Sequence, residues 1–291
     1  MTLSSVTLPC FGWSQPKQAN LTPRHQPVAL AVAADRITLR FGSDSSVLRR
    51  RAQHELGHAL IAELVGMNVT KLRVTPNKAD VTFRDERSRP EQWSYQDLAA
   101  YSFRRAMIAV AGPVAEALCN EIQDPAALPM RELLGPKYGG IDDYESTRDH
   151  LCRSLVAEFL SLHARDFQTH RTAEAVQAPE IEALLSESDP QTLWFGGAWG
   201  MTSGQVNDRL NAVYRQAVTV VADCLKPLTA SQRYGETTDF IAQTQEIEGQ
   251  AQMRLLLKGL LSQVDQSQFD ASTNNKALET YQQASNRSTT P

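Results

Sequence analysis

No apolar stretch in this 291-residue chain approaches the ~20 residues that a membrane-spanning helix needs, and the longest near the start, Pro27 to Ala34, is far too short. A strong excess of one charge is also missing. The formal net charge is -4, and no basic run marks a nucleic-acid-binding face. Cysteine is scarce: Cys10, Cys119, Cys152 and Cys224 are scattered, without a C-x-x-C pair. Neither a disulfide framework nor a cysteine-based zinc site is therefore expected, and the thiols read as reduced, in a cytoplasmic protein. Cys152 and Cys224 fall in helical patterns, where a buried structural thiol is the expectation. The first 34 residues have no Asp or Glu, and Lys17 and Arg24 are their only permanent side-chain cations. An acid-poor start can mark a targeting segment, but this one has no charged beginning, apolar core or cleavage-like end. A flexible arm over residues 1–35 is the expectation. The dipeptide Gly-Lys occurs nowhere, so G-x-x-x-x-G-K-[ST] is absent and ATP cannot be bound by that loop.

What is present is an ordinary globular composition, 42% hydrophobic and 21% charged, in a chain long enough to bury a sizeable core. Arg36 to Phe41 alternates polar and apolar residues, as a short strand does. The polar stretch Gly42 to Ser46 precedes a strong helical pattern from about Val47 to Val65, with Gly66 as its stop. Val69 to Thr75 and Val81 to Phe83 are β-like runs around Pro76-Asn77-Lys78, expected to form a small hairpin or sheet edge. Helical periodicity returns from about Tyr95 to Asn120. A loop rich in Pro and Gly follows from Pro125 to Gly140, then a helix from Asp142 or Asp143 to about Arg165. Ala178 to Leu185 reads as a further helix. A long helix is expected from Ser203 to Leu225, ending before Pro227, and a helical pair over Thr237 to Gln243 and Glu248 to Leu261. The whole is mainly α, as one domain over residues 36–262 with a disordered polar tail over 263–291.

The chemistry concentrates at His54-Glu55-Leu56-Gly57-His58. Histidines at i and i+4 project from one helix face, one turn apart, and can share one zinc ion. Glu55 sits between them in sequence, where a carboxylate can take a proton from a zinc-activated water. Two ordinary surface histidines are the bland alternative. The chain has six histidines in all, and two at this spacing with Glu directly after the first, on an apolar helix, favour the metal.

A catalytic zinc site takes a third protein ligand. A third His six residues after the second is excluded, because Leu64 stands there. Two acids remain. Glu116 lies on an apolar helix face, where an unpaired carboxylate is costly and demands a partner. Asp143 follows Gly139-Gly140 at a helix start, where acids also serve simply as caps. Spacing alone leaves both open.

These residues resemble the peptidase domain of the FtsH family of ATP-dependent zinc metalloproteases. The family's His-Glu-Ala-Gly-His-Ala helix is matched by His54 to Ala59, with Leu56 in place of Ala. Its Val-His-Lys-Val-Thr-Ile-x-Pro segment resembles Val69 to Pro76, and its Gly-Gly-Arg-x-Ala-Glu-Glu helix resembles Ala111 to Ala117. Its Gly-Ala-x-Asn-Asp segment resembles Gly139 to Asp143, and its Tyr-x-x-Ala helix core resembles Tyr214 to Ala217. Glu246 to Gly249 is similar to a short element near the family's end. The resemblance spans roughly residues 48 to 260 and implies that Asp143 is the third zinc ligand and Glu116 a supporting carboxylate. The departures are Pro113 and Ala117 for an Arg and a Glu, Asp142 for an Asn, and no recognisable ATPase module in the 53 residues before His54.

The expectation is therefore an FtsH-peptidase-like helical domain acting as a zinc-dependent metalloendopeptidase. His54, His58 and Asp143 would bind zinc, Glu55 would be the general base, and flexible or unfolded polypeptides would be the substrates. Association as a homo-oligomer or with a separate ATPase, or a zinc-stabilised binding role without catalysis, are the alternatives. The glycine-aromatic run Trp194 to Trp199 is either a substrate-binding surface or core packing beside a turn.

Overall fold

The computed structural model describes residues 44–84, 95–138, 140–163, 203–266 and 269. The expected arm over 1–35, the strand at Arg36 to Phe41, the helix at Ala178 to Leu185, the aromatic run Trp194 to Trp199 and, of the tail expected over 263–291, residues 267, 268 and 270–291 lie outside these residues.

The first helix, α1, runs from Asp44 to Leu64. Its stripe Ala52, Leu56, Ala59 and Leu60 is fully buried, as the periodicity requires. Gly66 ends it with φ 83°. The N–H of Met67 reaches the Ala62 carbonyl at 2.8 Å and that of Gly66 reaches Glu63 at 3.0 Å. This is the left-handed glycine stop that satisfies orphan carbonyls, and it tucks Met67 into the core.

The chain then turns into β1, Asn68–Val74, which pairs antiparallel with β2, Ala79–Arg84, through the Thr75-Pro76-Asn77-Lys78 turn. A register irregularity between Val69 and Lys71 lets Val69, Leu72 and Val74 all face the core despite the odd spacing. A third strand, β3 at Glu246–Glu248, pairs with the other side of β1, placing Leu72 opposite Ile247. The sheet order is β2-β1-β3, so β2 is an outer strand. The sequence reading expected the hairpin but not this third strand, because three residues carry no readable alternation.

Helix α2, Tyr95–Cys119, packs against α1, against α4 (Ile141–His163) and against α5 (Ser203–Thr229). A Cβ at Gly57 would stand 2.5 Å from the Ala111 carbonyl oxygen and 2.7 Å from the Ala115 Cβ. Only glycine allows α1 and α2 to approach this closely, and the approach sets α2 directly behind the histidines. The loop from Pro125 contains a 3-10 turn, Pro125–Ala127, and a single helical turn, α3, at Met130–Leu133. Leu133 and Leu134 there are fully buried and anchor it.

Helix α5 continues through Pro227 to Thr229, beyond its expected end. Proline lacks one N–H, but Leu228 is fully buried, and its packing holds one more turn. Ser231 caps α6, Gln232–Thr244, by accepting from the Tyr234 N–H at 3.2 Å. The Tyr234 hydroxyl, buried, donates to the Gln53 carbonyl at 3.0 Å and so ties α6 to α1 beside His54. Helix α7, Gln250–Leu261, buries Met253, Leu257 and Leu260. Packing continues past it, where Phe269 is buried in the same core.

The described chain is thus mainly helical, with a small three-stranded antiparallel sheet. No described helix is long and apolar enough to cross a membrane. Cys152 and Cys224 are buried free thiols, and burial pushes their pKa values up to about 11 and about 12.

Candidate metal centre

His54 and His58 stand one turn apart on the same face of α1, their ring centroids 4.7 Å apart. What each ring does with Nδ1 decides what its Nε2 can offer. His58 Nδ1 lies 2.6 Å from the Ile108 carbonyl oxygen. A carbonyl only accepts, so this nitrogen carries the proton. The Gly112 N–H also approaches it, at the longer distance of 3.3 Å. His54 Nδ1 lies 3.2 Å from the Tyr138 carbonyl oxygen and 3.3 Å from Glu116 Oε2, both acceptors. Each Nε2 is left with its lone pair aimed at the space between the rings.

The two Nε2 atoms are 3.0 Å apart. Asp143 Oδ2 lies 3.2 Å from His54 Nε2, and Asp143 Oδ1 lies 3.4 Å from His58 Nε2. Two bare lone pairs and a carboxylate at these separations repel unless a cation sits among them. Tetrahedral ligands with bonds of about 2.0–2.2 Å stand about 3.3–3.6 Å apart, close to what is seen here. His54, His58 and Asp143 thus form a group that could hold a metal ion, with one donor atom from each lying within 4.8 Å of the others.

Without a metal, a proton must serve. Burial by itself lowers the His58 pKa, but the hydrogen bond and negative charge of Asp143, with Glu55 and the Ile108 carbonyl, outweigh it and lift the pKa to about 9. Burial works to raise the Asp143 carboxyl, yet its contacts with His54 and His58 hold it well below the usual range.

The elements explain these positions. Asp143 sits in the first turn of α4, and its Oδ2 accepts from the Gly140 N–H at 3.1 Å. It therefore closes the helix start as well as facing the imidazoles, so the two roles weighed for it coexist. Glu116 does not reach the Nε2 atoms. It is buried, 4% exposed, and Arg50 Nε donates to its Oε1 while its Oε2 faces His54 Nδ1. Arg50 also donates to the Lys137 carbonyl. The partner that a buried acid demands is thus Arg50 together with His54.

Gly112 lies against the Nε2 atoms. A Cβ there would stand 2.6 Å from His54 Nε2 and closer still to His58. No other residue type leaves both donor atoms where they are.

Glu55 faces the same cleft. Burial raises its carboxyl pKa, helped by Asp143 and Asp80 and opposed by His58 and His54. It makes no hydrogen bond among the described residues, so its carboxylate is free to engage a ligand. The cleft measures about 660 Å³ and is bordered by α1, α2, the start of α4 and β2, whose Asp80 and Phe83 line it. Among the described residues no strand pairs with the outer edge of β2.

The structure brings together every residue singled out for the site: His54, Glu55, His58, Asp143 and Glu116. Sequence reasoning missed the carbonyls of Ile108 and Tyr138, for which no side-chain signal exists. It also missed Arg50 and Gly112, whose roles depend on which helices meet. Compared with known proteins, the chain matches no family model, no curated protein and no solved structure.

Proposed function

We propose that this protein is a zinc-dependent metalloendopeptidase with an FtsH-peptidase-like fold, acting on flexible or unfolded polypeptides. The observation that carries the reading is the placement of the Glu55 carboxylate beside a two-imidazole, one-carboxylate donor set in a cleft edged by an outer strand. Segments far apart in sequence support it: His54, Glu55 and His58 on α1, Asp80 and Phe83 on β2, Glu116 on α2 and Asp143 on α4 all line this cleft.

His54, His58 and Asp143 would hold the zinc ion. Bound there, zinc would supply Lewis acidity, lowering the pKa of a water and polarising the scissile carbonyl. The chain's own groups do the rest. The Ile108 and Tyr138 carbonyls and Glu116 hold the rings so that both Nε2 lone pairs converge. Glu55 takes a proton from the attacking water as its oxygen adds to the carbonyl carbon. It then gives that proton to the amine nitrogen as the C–N bond breaks. Burial raises the basicity of Glu55, which suits it to both transfers. The outer edge of β2, unpaired among the described residues, is one along which an extended peptide can lie.

The test is metal analysis of the purified chain, followed by incubation of the zinc-loaded form with casein and with a broad peptide library. Stoichiometric zinc with cleavage products is the expected result. A zinc-loaded chain that cleaves nothing would overturn the peptidase reading in favour of a zinc-stabilised binding protein.

A further inference from the structure

Arg105 stands on the same face of α2 as Ile108, Ala109 and Gly112, and with the first two of these it lines the cleft. Seven residues separate Arg105 from Gly112, about 10 Å along a helix axis. The guanidinium carbon lies over the Phe83 ring of β2, 4.7 Å from its centroid. This contact fixes the side chain without using up its N–H groups. Among the described residues no carboxylate lies within ion-pair distance of Arg105.

Several other charges of the cleft are engaged. Asp80 takes two N–H groups of Arg73, at 2.8 and 2.6 Å. Arg50 holds Glu116, and Asp143 faces the imidazoles. Arg51 donates to the Thr75 and Pro76 carbonyls of the β1–β2 turn. Among the described residues Arg105 is thus a partly buried cation, held by an aromatic ring and felt by His150, with no acceptor on its donor fork.

Resting on the peptidase reading, we propose that Arg105 recognises a carboxylate of the bound polypeptide at the Phe83 end of the cleft. An extended chain advances about 3.3 Å per residue, so the recognised group lies about three residues from the scissile bond. The planar fork of arginine matches a carboxylate with two parallel hydrogen bonds. That carboxylate is either an acidic side chain or the free C-terminus of the substrate.

The test uses peptide pairs built on a sequence that the protein cleaves in casein or in the library, or on library peptides that it binds if none is cleaved. Pairs carry Glu against Gln at each position around the scissile bond, or a free C-terminal acid against an amide. Turnover is measured on the zinc-loaded full chain, and equilibrium binding by fluorescence anisotropy on Glu55→Gln. One pair is expected to favour the carboxylate by about tenfold or more, in KM and in Kd. A Glu/Gln pair identifies a side chain, and an acid/amide pair a C-terminus. In Arg105→Gln and Arg105→Met that ratio falls to about one. Arg105→Lys, which keeps the charge but loses the fork, gives an intermediate ratio that a purely packing role would not produce. Two substitutions guard against one that fails to fold, and thermal unfolding is recorded for each. Cleavage without any carboxylate preference, or a preference that survives both substitutions, overturns this inference and leaves the peptidase reading standing. Carboxylate-dependent binding without cleavage does the reverse. Neither cleavage nor such binding sinks both.

Discussion

Two imidazoles in this molecule, one buried and one half-buried, face opposite electrostatic worlds. His58, on α1, is held by a carbonyl on one nitrogen and by Asp143 on the other, and its pKa rises to about 9. His150, on α4, is half-buried, and desolvation together with Arg105 and Arg153 lowers its pKa to about 3. Its Nδ1 has no hydrogen-bond partner among the described residues. Burial pushes both rings toward neutrality. Only the first has an acid and a second ring converging on its free nitrogen, so burial with convergent donors makes a group that could hold a metal ion, and burial beside cations leaves an uncharged ring.

The largest effect that sharpens this contrast is on hydrolysis. Glu55→Gln is expected to lower casein cleavage by about 10²- to 10⁴-fold while zinc content stays at the wild-type level. His150→Gln should leave cleavage within about twofold of wild type, because no cleft-lining role falls to it. Near-wild-type turnover in Glu55→Gln would break the contrast at its chemical end.

Metal content comes next. His58→Ala leaves two protein donors and should lose zinc on dialysis, and Asp143→Asn should weaken zinc binding strongly. Glu116→Gln, which alters only the support of His54, should weaken it about 10-fold to 100-fold. A larger loss with Glu116→Gln than with Asp143→Asn, read by competition with a chelating dye, would exchange their assigned roles.

Gly112→Ala tests the packing behind the donors. The added Cβ must displace an imidazole or part α1 from α2, at a cost of about 1–3 kcal/mol in unfolding free energy by chemical denaturation. Zinc affinity should fall with it. A variant as stable and as tightly metallated as wild type would mean that the helices yield freely there.

The smallest effect is on pH dependence in chelated, metal-free protein, and the two histidines should tilt it in opposite directions. His58 has a folded pKa of about 9, above the ordinary 6.5. Its contribution is complete below 6.5 and is lost as pH rises through about 9. His150 has a folded pKa of about 3, below 6.5. The unfolded chain gains the proton first, so stability is lost as pH falls from about 6.5 toward 3. Thermal midpoints should therefore peak near neutrality. Asp143→Asn should flatten the alkaline limb, and His150→Gln should make the acid limb shallower. Unchanged limbs in both variants would contradict the assigned environments.

Much of the fold was legible. Helices α1, α2, α4 and α5 rest on long apolar stripes, and Gly66 is a local stop signal, whereas α6 starts at Gln232, five residues before the expected Thr237, and Glu248, expected to open the last helix, ends β3. The hairpin was readable from two β-like runs around a Pro-Asn turn. The short strand β3 was not, because its three residues form a strand only by pairing with β1. Nor was the end of α5, where the burial of Leu228 overrides a proline.

The site divides in the same way. Sequence by itself determined the pairing of His54 with His58 and the place of Glu55 beside them, because helix geometry puts positions i and i+4 on one face whatever the tertiary surroundings. Only the tertiary structure decided which acid faces the paired Nε2 atoms. Glu116 and Asp143 are both acids with a plausible partner, and they lie 62 and 89 positions beyond His54. Local periodicity carries no information over such separations. The close approach of α1 and α2 at Gly57 and Gly112 turns Glu116 toward His54 Nδ1, and the buried Leu133–Leu134 turn returns the chain so that α4 begins with Asp143 beside the two rings.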